Sequence, residues 1–417
     1  MITMWRGPSA PRLPIQVVIE SLLIGTLSGW FATRFFATPC STFKFPIHEV
    51  CCIVFGIQTV GTALSIWLTR TRTIFIAAPI VALVSSIAEM VSAASFGITW
   101  IGTSSAVSVA ATPLAQWCGI LTPFGLTAAV FGIGCLWFPD SQGRKGRRWV
   151  SSVTAALMYC VLWFGGCFIE QTVQVNPFAI SALLVQPHPE ELTASCHALH
   201  RQTLESISED GQADLILWGE GSIQGRTYSE LSNIIEPKKR DFDPHIAASL
   251  TGFREQLHPQ YDTVCLVGVI FDSRTANSSS GEGDSRGRKL NCAVLVSSSI
   301  VLPCHEKIAL MPLRERPIYC LRWFPGLHRW LFPEIDVGCY YEQGRDFCPL
   351  TFRDRCGAMR RIAVAICYES WLPWLPQYHC EEPLDAICHL AYDGDFKDHP
   401  EYTQRMLLTI RLRAIET

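Results

Sequence analysis

Arg361-Ile362-Ala363-Val364-Ala365-Ile366-Cys367-Tyr368-Glu369-Ser370-Trp371 is a run of β-branched and small apolar residues that passes abruptly into polar ones. Such a run reads as a buried strand. Cys367 stands at its exit, where the residues become turn-compatible. A thiol there is held rigidly by the strand yet can face a cleft, which suits a nucleophile. Taken alone, Cys367 reads more simply as a core residue, since cysteine is among the most buried residue types. Two other stretches of the chain change that reading.

The chain has 417 residues, 49% of them hydrophobic and only 17% charged. That is length enough for two or three domains, with an apolar excess unusual for a soluble protein. The excess falls almost wholly before about residue 172, and the remainder has ordinary globular composition. A net charge of −3 gives no reason to expect a nucleic-acid partner. The 18 cysteines include no C-x-x-C pair, which argues against zinc or thioredoxin-type chemistry. Most of them read as packing residues.

A helix that crosses a bilayer needs roughly 20 mostly apolar residues. Segments 14–37, 48–69, 73–97, 116–138 and 149–169 meet that requirement. The first lacks a small-residue cleavage site and is followed by further apolar segments, so it reads as an anchor. Arg6 and Arg12 precede it, Arg70 and Arg72 follow the second segment, and Arg144, Lys145, Arg147 and Arg148 follow the fourth. The alternate loops carry only Arg34, Lys44 and an uncharged stretch at 102–105. This asymmetry places the N-terminus in the cytoplasm, and five spans then put everything after Glu170 on the outer side. Segment 98–117 is a candidate surface or re-entrant piece. Glu89, inside the third span, is a functional candidate by its position; with no intramembrane basic partner visible for it, a protonated or paired carboxyl is the simpler reading.

After Val175-Asn176-Pro177 short apolar runs alternate with amphipathic stretches. Strands are expected at 180–185, 214–218, 263–271, 290–296, 300–303, 361–367 and 384–391, with helices at 190–207, 245–257 and 402–415. Residues 274–288 read as a solvated loop. The aromatic-rich segment 317–341 reads either as a loop dipping toward lipid or as a small inserted subdomain. Strands alternating with helices over this length indicate a layered α/β domain at 173–417 behind a helical bundle at 1–172.

Three stretches deliver an ionisable residue at a strand end. Asp214-Leu215-Ile216-Leu217-Trp218-Gly219-Glu220 ends on a carboxylate. His305-Glu306-Lys307-Ile308-Ala309-Leu310-Met311-Pro312-Leu313-Arg314-Glu315 supplies a lysine and, eight residues later, a second glutamate. Ile366-Cys367-Tyr368-Glu369 supplies the thiol. Singly, Glu220 reads as a turn cap, Lys307 as a surface charge and Cys367 as core.

Taken together and in this order, the three resemble the Glu–Lys–Cys triad of the nitrilase superfamily, whose αββα sandwich serves amidases and apolipoprotein N-acyltransferases. Ala182-Leu183-Leu184-Val185-Gln186-Pro187 is similar to that domain's opening strand, and Thr112-Pro113-Leu114-Ala115-Gln116-Trp117 with Gly125 is similar to the membrane bundle of the acyltransferase branch. The resemblance implies a multi-pass α-helical bundle fused to a nitrilase-type domain in a bacterial inner membrane, with that domain in the periplasm. It implies catalytic roles for Glu220, Lys307 and Cys367 and supporting roles for Glu315 and Glu369. No metal or organic cofactor is implied. A thiol whose ordinary pKa is near ~8.5 needs a base or cationic surroundings to act as a nucleophile. Glu220 would take its proton, Lys307 would stabilise the oxyanion, Glu315 would hold the lysine or assist the base, and Glu369 would orient the loop behind the nucleophile. The implied reaction moves an acyl chain from a phospholipid, through a thioester on Cys367, to the α-amine of a lipoprotein.

The pattern also departs from the family. Gly219 stands where the family has proline, which loosens the backbone there. Leu313-Arg314 replaces Phe-Gly, and His389-Leu390-Ala391-Tyr392-Asp393-Gly394-Asp395 replaces Asn-Asp-Ala-Trp-Phe-Gly-Asp. The helix ending in Arg413-Ala414-Ile415-Glu416 resembles the family's, but the further strand and span are not in this sequence, an expected shortening of the domain. These features are similar to plasmid-borne conjugal-transfer proteins of the TraB type. An amidase or acyltransferase acting with conjugation-apparatus proteins is therefore a second reading. A non-catalytic membrane component that keeps the fold is a third.

Overall fold

The computed structural model describes residues 14–32, 47–69, 74–96, 109–137, 145–173, 180–185, 203, 205–206, 213–225, 264–273, 288–296, 301–312, 315–316, 324–331, 341–344, 349–372, 375, 382–392 and 400–416. Among them the chain forms seven α-helices: α1 (Pro14–Ala32), α2 (Ile47–Leu68), α3 (Ile74–Phe96), α4 (Cys118–Trp137), α5 (Lys145–Thr172), α6 (Pro325–Leu331) and α7 (Pro400–Glu416). Two compact units result. One comprises Met1–Val175, Ile318–Leu327 and Phe396–Glu416; the other comprises Asn176–Pro317 and His328–Asp395.

In the helical unit, α1 to α5 occupy the five apolar segments read from the sequence. Ile74–Val91, Pro113–Trp137 and Trp149–Thr172 are long and apolar enough to cross a membrane. Shorter apolar stretches, Ile15–Ser28 and Cys52–Leu68, lie in α1 and α2. Small side chains fill much of the interior: Ala63, Ala77, Ala78, Ser21, Ser65 and Ser85 are buried. Their size lets helix backbones approach closely. Buried hydroxyls find partners on neighbouring turns and helices, as when Ser85 Oγ donates to the Val81 carbonyl and lies 3.0 Å from Thr62 Oγ1. A turn of 3-10 helix, Pro113–Trp117, precedes α4 and is capped by Thr112, whose hydroxyl accepts from the Leu114 amide. Trp117 Nε1 donates to the Leu162 carbonyl at 2.7 Å. Gly165 makes that approach possible, since a Cβ there would lie 2.6 Å from the Trp117 ring. Helix α4 breaks at Thr122 (φ 62°) before Pro123, and Ser86 Oγ of α3 donates to the Phe124 carbonyl just beyond the break. Glu89 lies on α3 beside Thr127 of α4.

Helix α7, read from the sequence as the close of the polar half, packs instead on α4. Its Leu408, Leu412 and Ile415 join a core with Ala110, Ala115, Cys118 and Leu126. An apolar stripe on a charged helix needs an apolar partner, and α4 supplies one.

The second unit holds two sheets. The first runs β1 (Ala182–Val185), β2 (Leu215–Gly225), β3 (Val264–Ser273), β4 (Arg288–Val296) and β5 (Val301–Glu306), with β6 (Tyr341–Glu342) beside one end of β4. Strands β1 to β3 are parallel, and β3–β4–β5 is an antiparallel meander. The second sheet is β7 (Leu350–Arg353), β8 (Met359–Ile366) and β9 (Ala386–Leu390), with β8 parallel to β9. The sheets share one core: Leu215, Leu266 and Leu295 pack with Phe352, Ile362, Val364, Ile366 and Leu390. Parallel strands buried on both sides read as continuous apolar runs, which is why β3 and β8 stand out in the sequence.

The helices expected at 245–257 and nearly all of 190–207 lie outside the described residues, as do the loop at 274–287 and Leu313-Arg314. The charges used for orientation, from Arg6 to Arg144, are also outside them. The aromatic segment contributes α6, where Phe324, Leu327 and Trp330 are exposed.

Candidate active site

Asp214 fixes the entry to the central strands. Its carboxylate accepts from the Ser181 amide before β1 and from the backbone and Nε of Arg355 in the β7–β8 turn. Burial alone would push this carboxyl up, but the amides and the guanidinium outweigh burial and hold it below its usual range. Arg360 does similar work at the base of β8, donating to Asp354 at 2.7 Å and to Asp385 at 3.2 Å just before β9. Both networks set the register of the strands whose far ends carry the chemistry.

Those far ends depart from regular strand geometry. In β2 the pairing with β3 is regular through Trp218 and resumes at Ile223, so Glu220 sits in a bulge that includes Gly221 (φ 67°). Bulges re-aim side chains beside functional sites. The expected looseness at Gly219 is corrected by its packing. A Cβ there would lie 2.9 Å from the Ala391 carbonyl at the end of β9, so Gly219 is a point of close approach. Strand β5 also slips by one residue before His305, and the Lys307 amide continues the ladder by donating to the Asn291 carbonyl at 2.8 Å.

Lys307 is fully buried. Its Nζ donates to Glu315 Oε1 at 2.8 Å and to Glu220 Oε1 at 3.1 Å. Burial would push the ammonium's pKa down, but the carboxylates of Glu220 and Glu315, with Cys367 nearby, outweigh it and raise the pKa well above its ordinary value. A permanent cation therefore stands beside the thiol. Glu315 Oε2 also accepts from the Met311 amide at 2.6 Å, which folds the loop after Lys307 back on itself.

Cys367 ends β8 and opens a 3-10 turn, Cys367–Trp371. It is half-buried and has φ 50°, a left-handed conformation that costs a non-glycine residue about 1–3 kcal/mol and persists only where surrounding contacts impose it. Glu369 imposes it from one side. Its carboxylate accepts from the Ile366 amide at 2.8 Å, from Ile308 at 2.6 Å and from Ala309 at 3.2 Å, and it pairs with His305 Nε2 at 2.7 Å. One buried side chain thus ties the residue before Cys367 to the residues after the lysine. Burial alone would raise the Glu369 carboxyl, but His305 and the amides hold it below its usual range. From the other side, His389 Nε2 donates to the Cys367 carbonyl at 2.9 Å.

All five residues singled out in the sequence lie in this cluster. Glu220, Lys307 and Glu315 are joined by direct hydrogen bonds, Cys367 lies near Lys307, and Glu369 braces both loops. Three further residues emerge only from the structure. Asn291 Nδ2 donates to Glu220 Oε1 at 2.6 Å, His305 pairs with Glu369, and His389 holds the Cys367 carbonyl. Each is a polar residue following or interrupting an apolar run in a strand, which is the signal that could have flagged it. Asp393–Asp395 lie outside the described residues.

In chemical terms, a thiol, a carboxylate and a buried ammonium come together at the strand ends. No protein-family model and no curated protein sequence matches the chain, which leaves the site's own geometry as the guide to function.

Proposed function

We propose that this protein is a membrane-bound, cysteine-dependent acyltransferase of nitrilase type, working through Glu220, Lys307 and Cys367. The observation that carries the proposal is the fully buried Lys307 held between two carboxylates beside a cysteine in a left-handed conformation. A buried cation with two carboxylate partners is costly to assemble without further hydrogen bonds, and strained nucleophiles cluster at catalytic sites. The apolar helices α3, α4 and α5 support a membrane setting, in which an ester-linked acyl chain is the accessible donor.

The first half-reaction transfers the Sγ proton of Cys367 to Glu220 as the sulfur attacks the donor's ester carbon. Lys307 stabilises the oxyanion of the tetrahedral intermediate. The C–O bond breaks, Glu220 returns the proton to the departing alkoxide, and a thioester with a lysophospholipid results. In the second half-reaction the α-amine of a lipoprotein attacks the thioester, giving an amide and the free thiol. The charge asymmetry of the loops supports a cytoplasmic N-terminus and a periplasmic catalytic unit.

The test is release of lysophospholipid from detergent-solubilised protein supplied with phospholipid and an amine acceptor. The proposal expects release that depends on the acceptor and is lost in Cys367→Ala. Ammonia from a simple amide without lysophospholipid would mean an amidase, as the conjugal-transfer reading allows. No turnover of either kind would leave a non-catalytic membrane component. For topology, alkaline phosphatase fused after residue 172 is expected to be active; an inactive fusion would invert the orientation.

A further inference from the structure

His389 has a hydrogen bond to the nucleophile and a ring nitrogen to spare. Its Nε2 lies 2.9 Å from the Cys367 carbonyl. A carbonyl oxygen only accepts, so Nε2 carries the hydrogen and the neutral ring keeps its lone pair on Nδ1. Nδ1 has no hydrogen-bond partner among the described residues, and the residue keeps partial contact with solvent. The charged and titratable groups that face the ring are Glu220 from β2, Lys307 from the segment after β5, and Cys367 and Glu369 from the turn after β8. Burial holds the imidazole below its usual range, against the opposing pull of the Cys367 carbonyl, Glu220 and Glu369. The ring is therefore neutral at pH 7, and the residue that holds the Cys367 carbonyl carries a proton acceptor at Nδ1.

The proton count of the second half-reaction gives that acceptor a task. This step rests on the acyl-transfer reading above. An aliphatic amine is mostly ammonium at pH 7, since α-amino groups titrate near ~8, and an ammonium has no lone pair. One proton must leave before attack and another as the C–N bond matures. Glu220 takes the later proton and delivers it to Cys367 Sγ as the C–S bond breaks. The earlier proton needs a second base.

We propose that His389 is that base: Nδ1 takes a proton from the incoming ammonium, and the freed amine attacks the thioester on Cys367. The imidazolium then gives the proton to solvent. Water needs no prior deprotonation of this kind, so the acceptor class assigned to the site is a primary amine.

The experiment separates the half-reactions by single turnover on full-length protein loaded with phospholipid, comparing glycinamide with hydroxylamine as acceptor. Hydroxylamine is largely unprotonated at neutral pH and needs no base before attack. In His389→Gln the side-chain amide keeps a donor for the Cys367 carbonyl but cannot titrate. The expected result is transfer to glycinamide slowed by about 100-fold, with transfer to hydroxylamine changed by no more than about threefold. In the unsubstituted protein, transfer to glycinamide should hold level from about pH 8 down to the histidine range and fall only below it, whereas unassisted attack by the free amine would fall about tenfold per pH unit below about pH 8 and overturn the proposal. Equal losses with both acceptors would make His389 a support for the Cys367 backbone and overturn the proposal, as would no loss with either. The unsubstituted protein's pH profile decides the matter even if the variant fails to fold. Failure of the unsubstituted protein to form a thioester would overturn the acyl-transfer reading itself, and the role of His389 with it.

Discussion

The two units of this chain solve the problem of burial in opposite ways. In the helical unit many large apolar side chains point outward. Leu157, Val161, Phe164 and Phe168 of α5 are each more than 60% exposed, while alanines and serines share the interior with Val17, Ile66, Val81 and Leu136. In the sheet unit the large apolar residues are inside, and among described residues only Leu184, Trp330 and Met359 expose a large apolar side chain. What the sheet unit also buries is charge. Lys307, Glu315 and Glu369 sit in its interior, each with two or more hydrogen-bonded partners. The first pattern suits a solvent of hydrocarbon, where packing of small residues joins helices. The second is found where buried charge has a use that outweighs its desolvation cost.

Removing one member of the buried charge cluster gives the largest expected effect on that contrast. Lys307→Met leaves the carboxylates of Glu220 and Glu315 without their cation, and a loss of about 3–5 kcal/mol is expected in denaturant unfolding of the sheet unit. Activity should disappear with it. A stable, active Lys307→Met protein would mean that the cluster is ordinary packing.

Charge placed on the outer face of the helical unit should act differently. Phe164→Arg puts a cation where the account places lipid, at a cost of about 2.5–3.5 kcal/mol to insertion, and the protein recovered in the membrane fraction should fall. Undiminished recovery would make that face something other than a lipid contact. Gly219→Ala is expected to cost about 1–3 kcal/mol, because the added methyl meets the Ala391 carbonyl and the chain must shift to admit it. If Gly219 merely loosened the strand, alanine would stabilise it instead.

The pH response should be the mildest probe, and its sign follows from the shifts. Asp214, Asp354 and Glu369 have folded pKa values below their unfolded ones. Their contribution is full above about pH 4 and is lost as pH falls through the folded values. The pKa of His389 is also lowered on folding, so a smaller loss should begin below about pH 6.5. Urea midpoints across this range should show two steps, the upper one missing in His389→Gln. A midpoint flat from neutral pH to pH 4 would contradict the burial of a neutral His389.

Much of this was legible in the sequence because the decisive elements are dominated by local pattern. Continuous apolar runs announced β3 and β8, and helices α1 to α5 lie where roughly 20-residue apolar segments stood. Weak local signals hid the rest. Strands β6 and β7 are short, with two and four residues, and owe their form to β4 and β8. Helix α7 looked like the end of the polar half because nothing in its own residues says which apolar surface it will meet. The pairings of Glu220 with Asn291, His305 with Glu369 and His389 with Cys367 join positions 22 to 71 residues apart. Such contacts are set by strand order and bulges, which no local periodicity encodes.

The central claim is that Cys367 takes the acyl chain. It is tested most directly by incubating the solubilised protein with phospholipid, quenching in acid and mapping adducts on every cysteine peptide by mass spectrometry. The account predicts one acyl group, labile to hydroxylamine, on the peptide that contains Cys367, and none in Glu220→Gln. An adduct on another of the 18 cysteines, or none on Cys367 with the donor in excess, would contradict it.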